Sequence, residues 1–170
     1  MAKRVQGHAR TSARVNPLGV WWLSPAMKAV VESIGKVGSR VLVGGHALVF
    51  DQPATVPGGE DRGPSPLDVM SVSVAACAHY FAAAFLHARG LSPEGLSVEV
   101  SSEKERAPVS RIGRLELKVK VPPGLSDRHR EGIERAIKSC PAYGTLLHSP
   151  SVAISIEDGG HADGEQAEVA

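Results

Sequence analysis

Two cysteines stand 63 positions apart in a chain of 170 residues, and each sits where its thiol could react. Cys77 is flanked by Ala75, Ala76 and Ala78, which leave room for a ligand or another backbone to approach the sulfur, while Val74, Tyr80 and Phe81 supply an apolar wall. Cys140 directly precedes Pro141, at the cap of a new helical turn, where unpaired N–H groups and the helix dipole stabilise a thiolate. The chemistry open to such residues is that of a thiolate nucleophile and its oxidation. The alternative is a pair of buried free cysteines acting as small hydrophobes. Their separation suits neither a CxxC zinc knuckle or thioredoxin-type pair nor the disulfide framework of a small secreted chain. A reducing, cytoplasmic setting is therefore expected.

Other candidates carry less chemistry. Glu60, Asp61 and Arg62 could form a local charge pair near the site, but a solvated loop is the favoured reading. His79 lies two residues from Cys77, a helical rotation of about 200° that points the two apart. His148 reaches a site at Cys140 only through tertiary folding. The seven histidines form no HxxxH or HExxH pair, and no GxxxxGK[ST], GxGxxG or GxSxG string occurs. Zinc, nucleotide and serine-hydrolase chemistry thus lose their usual signatures, and no metal or cofactor is expected.

The elements that must position these residues are legible in the pattern. Nineteen Lys and Arg against eighteen Asp and Glu leave a charge of +1, which describes one ordinary globular domain. The charge is uneven: residues 1–40 carry +6 and the remainder −5. Residues 1–26 read as a basic extension; residues 1–16 lack the aromatic interleaving of a base-stacking surface, and no apolar run of a secretory signal follows Lys3 and Arg4. It contains VWWL at residues 20–23, an apolar run expected to dock on a body. Glycines and β-branched runs between Met27 and Phe50 suggest three short antiparallel strands. Residues 51–66, rich in Pro and Gly, form a long loop. A helix is expected over 67–89, with Pro66 at its first turn, Asp68 near its positive end and Gly90 beyond it. Apolar and small residues cover nearly all its faces, predicting burial on several sides. A membrane span fits by length, but Asp68, Ser71, Ser73, His79 and His87 oppose it.

Period-two alternation follows at Leu96, Val98 and Val100 and again at Leu115, Leu117, Val119 and Val121, joined by the charged connection EKERAPVSRIG. Ser126 caps a helix with a narrow stripe of Ile133, Ala136 and Ile137. Pro141 starts a short helical turn, SVAISIE (151–157) reads as a final strand, and residues 158–170 form an acidic, disordered tail.

The run GGEDRGPSPLDVMSVSVAAC (58–77), followed about sixty residues later by CPAYGTL (140–146), resembles the OsmC/Ohr family of thiol-dependent hydroperoxide reductases and their OsmC-like relatives. The resemblance covers residues 27–157. It implies an α+β fold in which two chains intertwine, with long central helices against a curved antiparallel sheet and two sites at the dimer interface.

The resemblance also implies roles. Cys77 matches the peroxidatic cysteine and Cys140 the resolving one, which closes a disulfide that an external dithiol, of lipoyl or similar type, resets. The substrate implied is a small organic hydroperoxide. The family's hairpin-turn arginine falls on Lys36 or, with a shift, on Arg40, and lysine lacks the bidentate fork. Its glutamate falls on Leu67, with Asp68 one place later, matching the acidic position of the YhfA-like branch. Lys36, Arg40, Asp68 and Glu60 are thus the candidates to polarise or orient. The rival reading is a non-catalytic OsmC-like protein that holds an apolar ligand or reactive sulfur species. A third makes residues 1–16 a nucleic-acid arm; no nucleic-acid or membrane partner is expected on the main reading.

Overall fold

A computed structural model describes residues 27–158. The VWWL segment, the basic extension and the tail beyond Asp158 lie outside the described residues. The order is β1 (Val30–Ser33), β2 (Ser39–Val43), β3 (His46–Phe50), α1 (Pro66–His87), β4 (Ser97–Glu105), β5 (Arg111–Lys120), α2 (Asp127–Lys138) and α3 (Pro141–Leu147). This is the expected α+β fold, in two compact units that divide after Ser65.

In the first unit, β1, β2 and β3 form an antiparallel meander, as the glycine spacing predicts. Gly44 and Gly45, both at positive φ, join β2 to β3 directly across the Val43–His46 pair. This is the backbone a two-residue hairpin requires. The β1–β2 turn is closed by Ile34 N–H to Gly38 O and Gly38 N–H to Gly35 O, each 3.0 Å, and Lys36 sits in it at φ 47°. Residues 51–65 are irregular, with the loop's two ends tied by Asp51 N–H to Pro64 O and Asp61 N–H to Gln52 O.

In the second unit, α1 begins at Pro66, carries Asp68 in its first turn and is followed by Gly90 at φ 68°. At 1.5 Å per residue it is about 33 Å long. Its buried residues, Ser71, Val74, Ala75, Ala78, Ala82 and Leu86, form one stripe. That differs from the expected burial on several sides: Val72, Ala76, Tyr80 and Ala84, four residues apart, form an exposed apolar face. The reason is supply. Among the described elements of this unit, α2, α3 and the β4–β5 hairpin pack on α1. The helix is long and apolar enough to cross a membrane by length and composition.

Ala82, Leu86, Leu96 and Ile133 centre the core, with Phe85, Leu91, Val119, Val121, Leu125 and Ile137 against them. The half-buried alternation of β4 and β5 is as expected, but the connection between them is shorter than EKERAPVSRIG. The strands run on to Glu105 and from Arg111, because the cross-strand partners Glu103–Arg114 and Glu105–Arg111 have opposite charge. The Ser126 hydroxyl accepts the His129 N–H at the start of α2. Segment 151–157 is not a strand among the described residues. Val152, Ile154 and Ile156 have the alternation, yet they are 80%, 85% and 95% exposed and no ladder forms. A strand needs a neighbour for its N–H and C=O groups, and pattern alone does not provide one.

Gly132 is buried in mid-α2 against the Phe85 ring, which the Arg89 guanidinium covers at 3.6 Å from the ring centroid. A Cβ there would overlap the ring. Gly132→Val is therefore expected to destabilise the protein by about 1–3 kcal/mol, despite valine's better helix propensity. Urea unfolding midpoints check this, and an unchanged or raised midpoint would contradict the packing described.

Candidate functional site

The second unit brings Cys77 and Cys140 together. Cys77 projects from mid-α1, half-buried; Cys140 is the N-cap of α3 and is 1% exposed. The two form a disulfide, with Cα atoms 6.1 Å apart, within the range such a bond spans. Local signals place Cys140. Ser139 N–H and Cys140 N–H close the end of α2 on Arg135, Ala136 and Ile137 carbonyls, and Pro141, unable to continue that ladder, opens α3. The Cys140 side chain makes no cap hydrogen bond, since its sulfur is joined to Cys77.

One turn before Cys77 along α1 begins an apolar cavity of about 400 Å³. Val74, one turn before Cys77, lines it together with Leu115, Leu117 and Val119 of β5, Ile137 of α2 and Leu146 of α3. Its polar margin is Glu134 and Lys138, which pair with each other at 2.6 Å. That contact holds the Glu134 carboxyl below its ordinary value and raises the Lys138 ammonium.

The first unit holds the polar candidates in a network that the sequence reading underestimated. Lys36 Nζ contacts Glu60 Oε1 at 2.8 Å, and Glu60 Oε2 meets the Arg62 guanidinium at 3.1 Å. Arg62 also donates to Asp51 Oδ2 at 3.0 Å and to the carbonyls of Ile34 and Gly35, both at 3.1 Å. The favoured solvated-loop reading of Glu60 and Arg62 is therefore corrected: these side chains clip the loop to the β1–β2 turn. Hydrogen bonding from Lys36 holds the Glu60 carboxyl below the ordinary range. Arg40 is elsewhere, paired with its cross-strand neighbour Glu32 at 2.9 Å. In the second unit, Asp68 meets Lys104 at 3.8 Å, and Leu67 beside it is half-buried. His79 and His148 are exposed. No cluster of three metal-ligating residues occurs among the described residues.

Asp51 was missed. Its side chain is buried, accepting from Gln52 N–H at 2.8 Å as well as from Arg62 N–H and Nε. The available signal was an aspartate directly after a strand and opening a Pro/Gly loop, a place where Asp caps the next backbone N–H. Burial pushes its carboxyl up, and the Gln52 and Arg62 hydrogen bonds outweigh that, so it titrates below the ordinary value.

A helix-borne cysteine joined to a Cys-Pro helix cap on an α+β scaffold defines a thiol–disulfide class of protein. The family follows from comparison. The model described as OsmC-like protein matches residues 58–155, more than half of the chain, and the chain belongs to that family. Its fold is similar to the OsmC-like protein of Mycoplasma pneumoniae, at TM-score 0.64 and 18% identity over 75% of this chain and 91% of that one. It is also similar to organic hydroperoxide resistance proteins of Elizabethkingia anophelis (TM-score 0.57, 15% identity, 74% and 90% covered) and Legionella pneumophila (0.52, 17%, 74% and 91%). No curated protein matches the sequence.

A carboxylate with a lowered folded value stabilises above its unfolded value, near pH 4, and that contribution is lost as pH falls through the folded one. Asp51→Asn is thus expected to lower the urea midpoint at pH 7, with the gap to wild type closing toward pH 3. A constant gap over that range would contradict the assigned ion pair.

Proposed function

We propose that this OsmC-like protein is a thiol-dependent peroxidase for organic hydroperoxides, acting as a cytoplasmic homodimer with an external dithiol as reductant. The Cys77–Cys140 bond is the observation that carries this reading. The Cys77 thiolate attacks one peroxide oxygen. The S–O bond forms as O–O breaks, and the alkoxide leaves to take a proton as alcohol. The Cys140 thiolate then attacks the Cys77 sulfenic acid, S–S forms, and hydroxide departs as water. A dithiol returns two electrons and two protons. Sulfur carries these electrons itself, so the chemistry needs neither flavin nor metal.

The apolar cavity beginning one turn from Cys77 supports an alkyl-bearing substrate over hydrogen peroxide. The exposed Val72, Ala76, Tyr80 and Ala84 face supports self-association. To Lys36 we assign the polarising role, with Glu60 as the carboxylate that orients it, because Lys36 lies in the β1–β2 turn, where the resemblance puts the family's arginine, whereas Arg40 lies on β2 and pairs with Glu32. Asp68 takes a lesser orienting role on α1. Leu67 favours the rival, a binding protein without turnover, since an apolar side chain at the family's glutamate position orients no cation.

Reduced protein treated with cumene hydroperoxide is expected to lose both thiols together, and Cys140→Ala to give a sulfenic acid trappable by dimedone. Slow, unsaturable thiol loss supports the binding protein instead. Under the same assay Lys36→Ala should lower turnover by about 10²-fold, the usual loss of an oxyanion-stabilising donor. Arg40→Ala should change it little. The reverse ranking would move the polarising role to Arg40.

A further inference from the structure

We propose that Arg62 is the positioning residue for Lys36: it fixes both the β1–β2 turn that carries the lysine and the carboxylate that orients its ammonium. The catalytic meaning of this assignment rests on the polarising role given to Lys36, while its geometry stands without it. A guanidinium offers five N–H donors in a planar fork. Nε donates to Asp51 Oδ2 at 3.0 Å, Nη1 to Ile34 O and Nη2 to Gly35 O, both at 3.1 Å, and Nη2 also meets Glu60 Oε2 at 3.1 Å. Those partners lie on three segments: the residue after β3, the β1–β2 turn and the loop itself. A group held from so many sides is committed to the fold and cannot follow a reacting oxygen, so Arg62 acts through Lys36 and not on substrate.

Lys36 needs such support. It sits at φ 47°, in the left-handed region where a residue with a Cβ persists only if its surroundings impose it. The turn's own bonds join Ile34 N–H to Gly38 O and Gly38 N–H to Gly35 O. Arg62 adds two more, on the carbonyls of the two residues directly ahead of Lys36. Beyond the backbone, a lysine ammonium swings on a flexible four-carbon stem, so where it rests is set by its anchor. That anchor is Glu60, whose Oε1 is 2.8 Å from Lys36 Nζ, and Arg62 holds its other oxygen. The base and the anchor of Lys36 thus both depend on one side chain.

The sequence makes room for this side chain. A Cβ at Gly38 would overlap the Arg62 guanidinium, and Gly38 is not in the left-handed region, so glycine there provides space and not a turn. Gly59 and Gly63, on either side of Glu60 and Arg62, pass so close to the Gln52, Pro53 and Val49 carbonyls that a Cβ at either would overlap them. The segment carrying both charged residues is therefore pressed onto the chain at the end of β3. Asp51, 1% exposed, secures it by accepting from the Arg62 backbone N–H as well as from Nε.

The Glu60 carboxyl reports whether Lys36 is in place, because the Lys36 hydrogen bond is the main cause of its lowered titration. Glu134, which titrates low through Lys138 in the second unit, is the control. Carbon-13 NMR titration of the side-chain carboxyls on the full chain compares wild type, Lys36→Ala, Arg62→Lys and Gly38→Ala. Arg62→Lys keeps the charge but not the fork; Gly38→Ala keeps every charge and displaces the guanidinium. In both, the Glu60 midpoint is expected to rise to about its position in Lys36→Ala, with Glu134 unmoved. Such a Glu60-specific rise in either variant sustains the assignment, and its absence from both overturns it. In cumene hydroperoxide turnover, Arg62→Lys is expected to lower kcat toward that of Lys36→Ala with KM little changed. An unaffected kcat beside a raised Glu60 midpoint sustains the positioning and removes Lys36 from the reaction, which separates this inference from the proposed activity.

Discussion

The contact on which the second unit's chemistry depends is the meeting of two sulfurs 63 residues apart. Cys77 is carried by the helix that supplies much of the core. Cys140 is delivered by α2, whose buried Gly132 and Ile133 fix its distance from α1, and whose last N–H bonds extend to Cys140 itself. Pro141 then turns the chain away at that point. Displacing α2 by one methyl group at Gly132 would move the cysteine with it, because interiors close-packed like crystals transmit small displacements.

The first unit solves a different problem. A loop without regular structure must still satisfy its polar groups, and here one buried aspartate and one arginine do most of that work. Exposed ion pairs such as Arg40–Glu32 or Arg135–Glu131 contribute little to stability. The Asp51–Arg62 pair differs, because its carboxylate is withdrawn from water and accepts three hydrogen bonds. The same guanidinium reaches the carbonyls ahead of Lys36, so the loop's order and the turn that holds Lys36 are linked through one side chain.

Helix α1 presents two unlike faces. One meets α2, α3 and the hairpin through small residues that let backbones approach closely; the other exposes valine, alanine and tyrosine at four-residue intervals. Mean apolarity without a polar face is what made the helix read as buried throughout. The burial that the described residues provide reaches one side.

Local rules determined much of what is seen. Proline at a helix start, glycine past its end, serine at a cap and period-two alternation act within a few residues, so α1, α2, α3, β4 and β5 were legible from the chain alone. The paired motifs around Cys77 and Cys140 likewise indicated the family and the two sulfurs that meet. Tertiary structure decided what depends on partners distant in sequence. Arg62 is no more distinctive in the sequence than its charged neighbours until Asp51 and the Ile34 and Gly35 carbonyls surround it, and residues 151–157 have a strand's alternation without the neighbour that would make them one. A side chain's type sets what it can bond; only the folded backbone sets what is within reach.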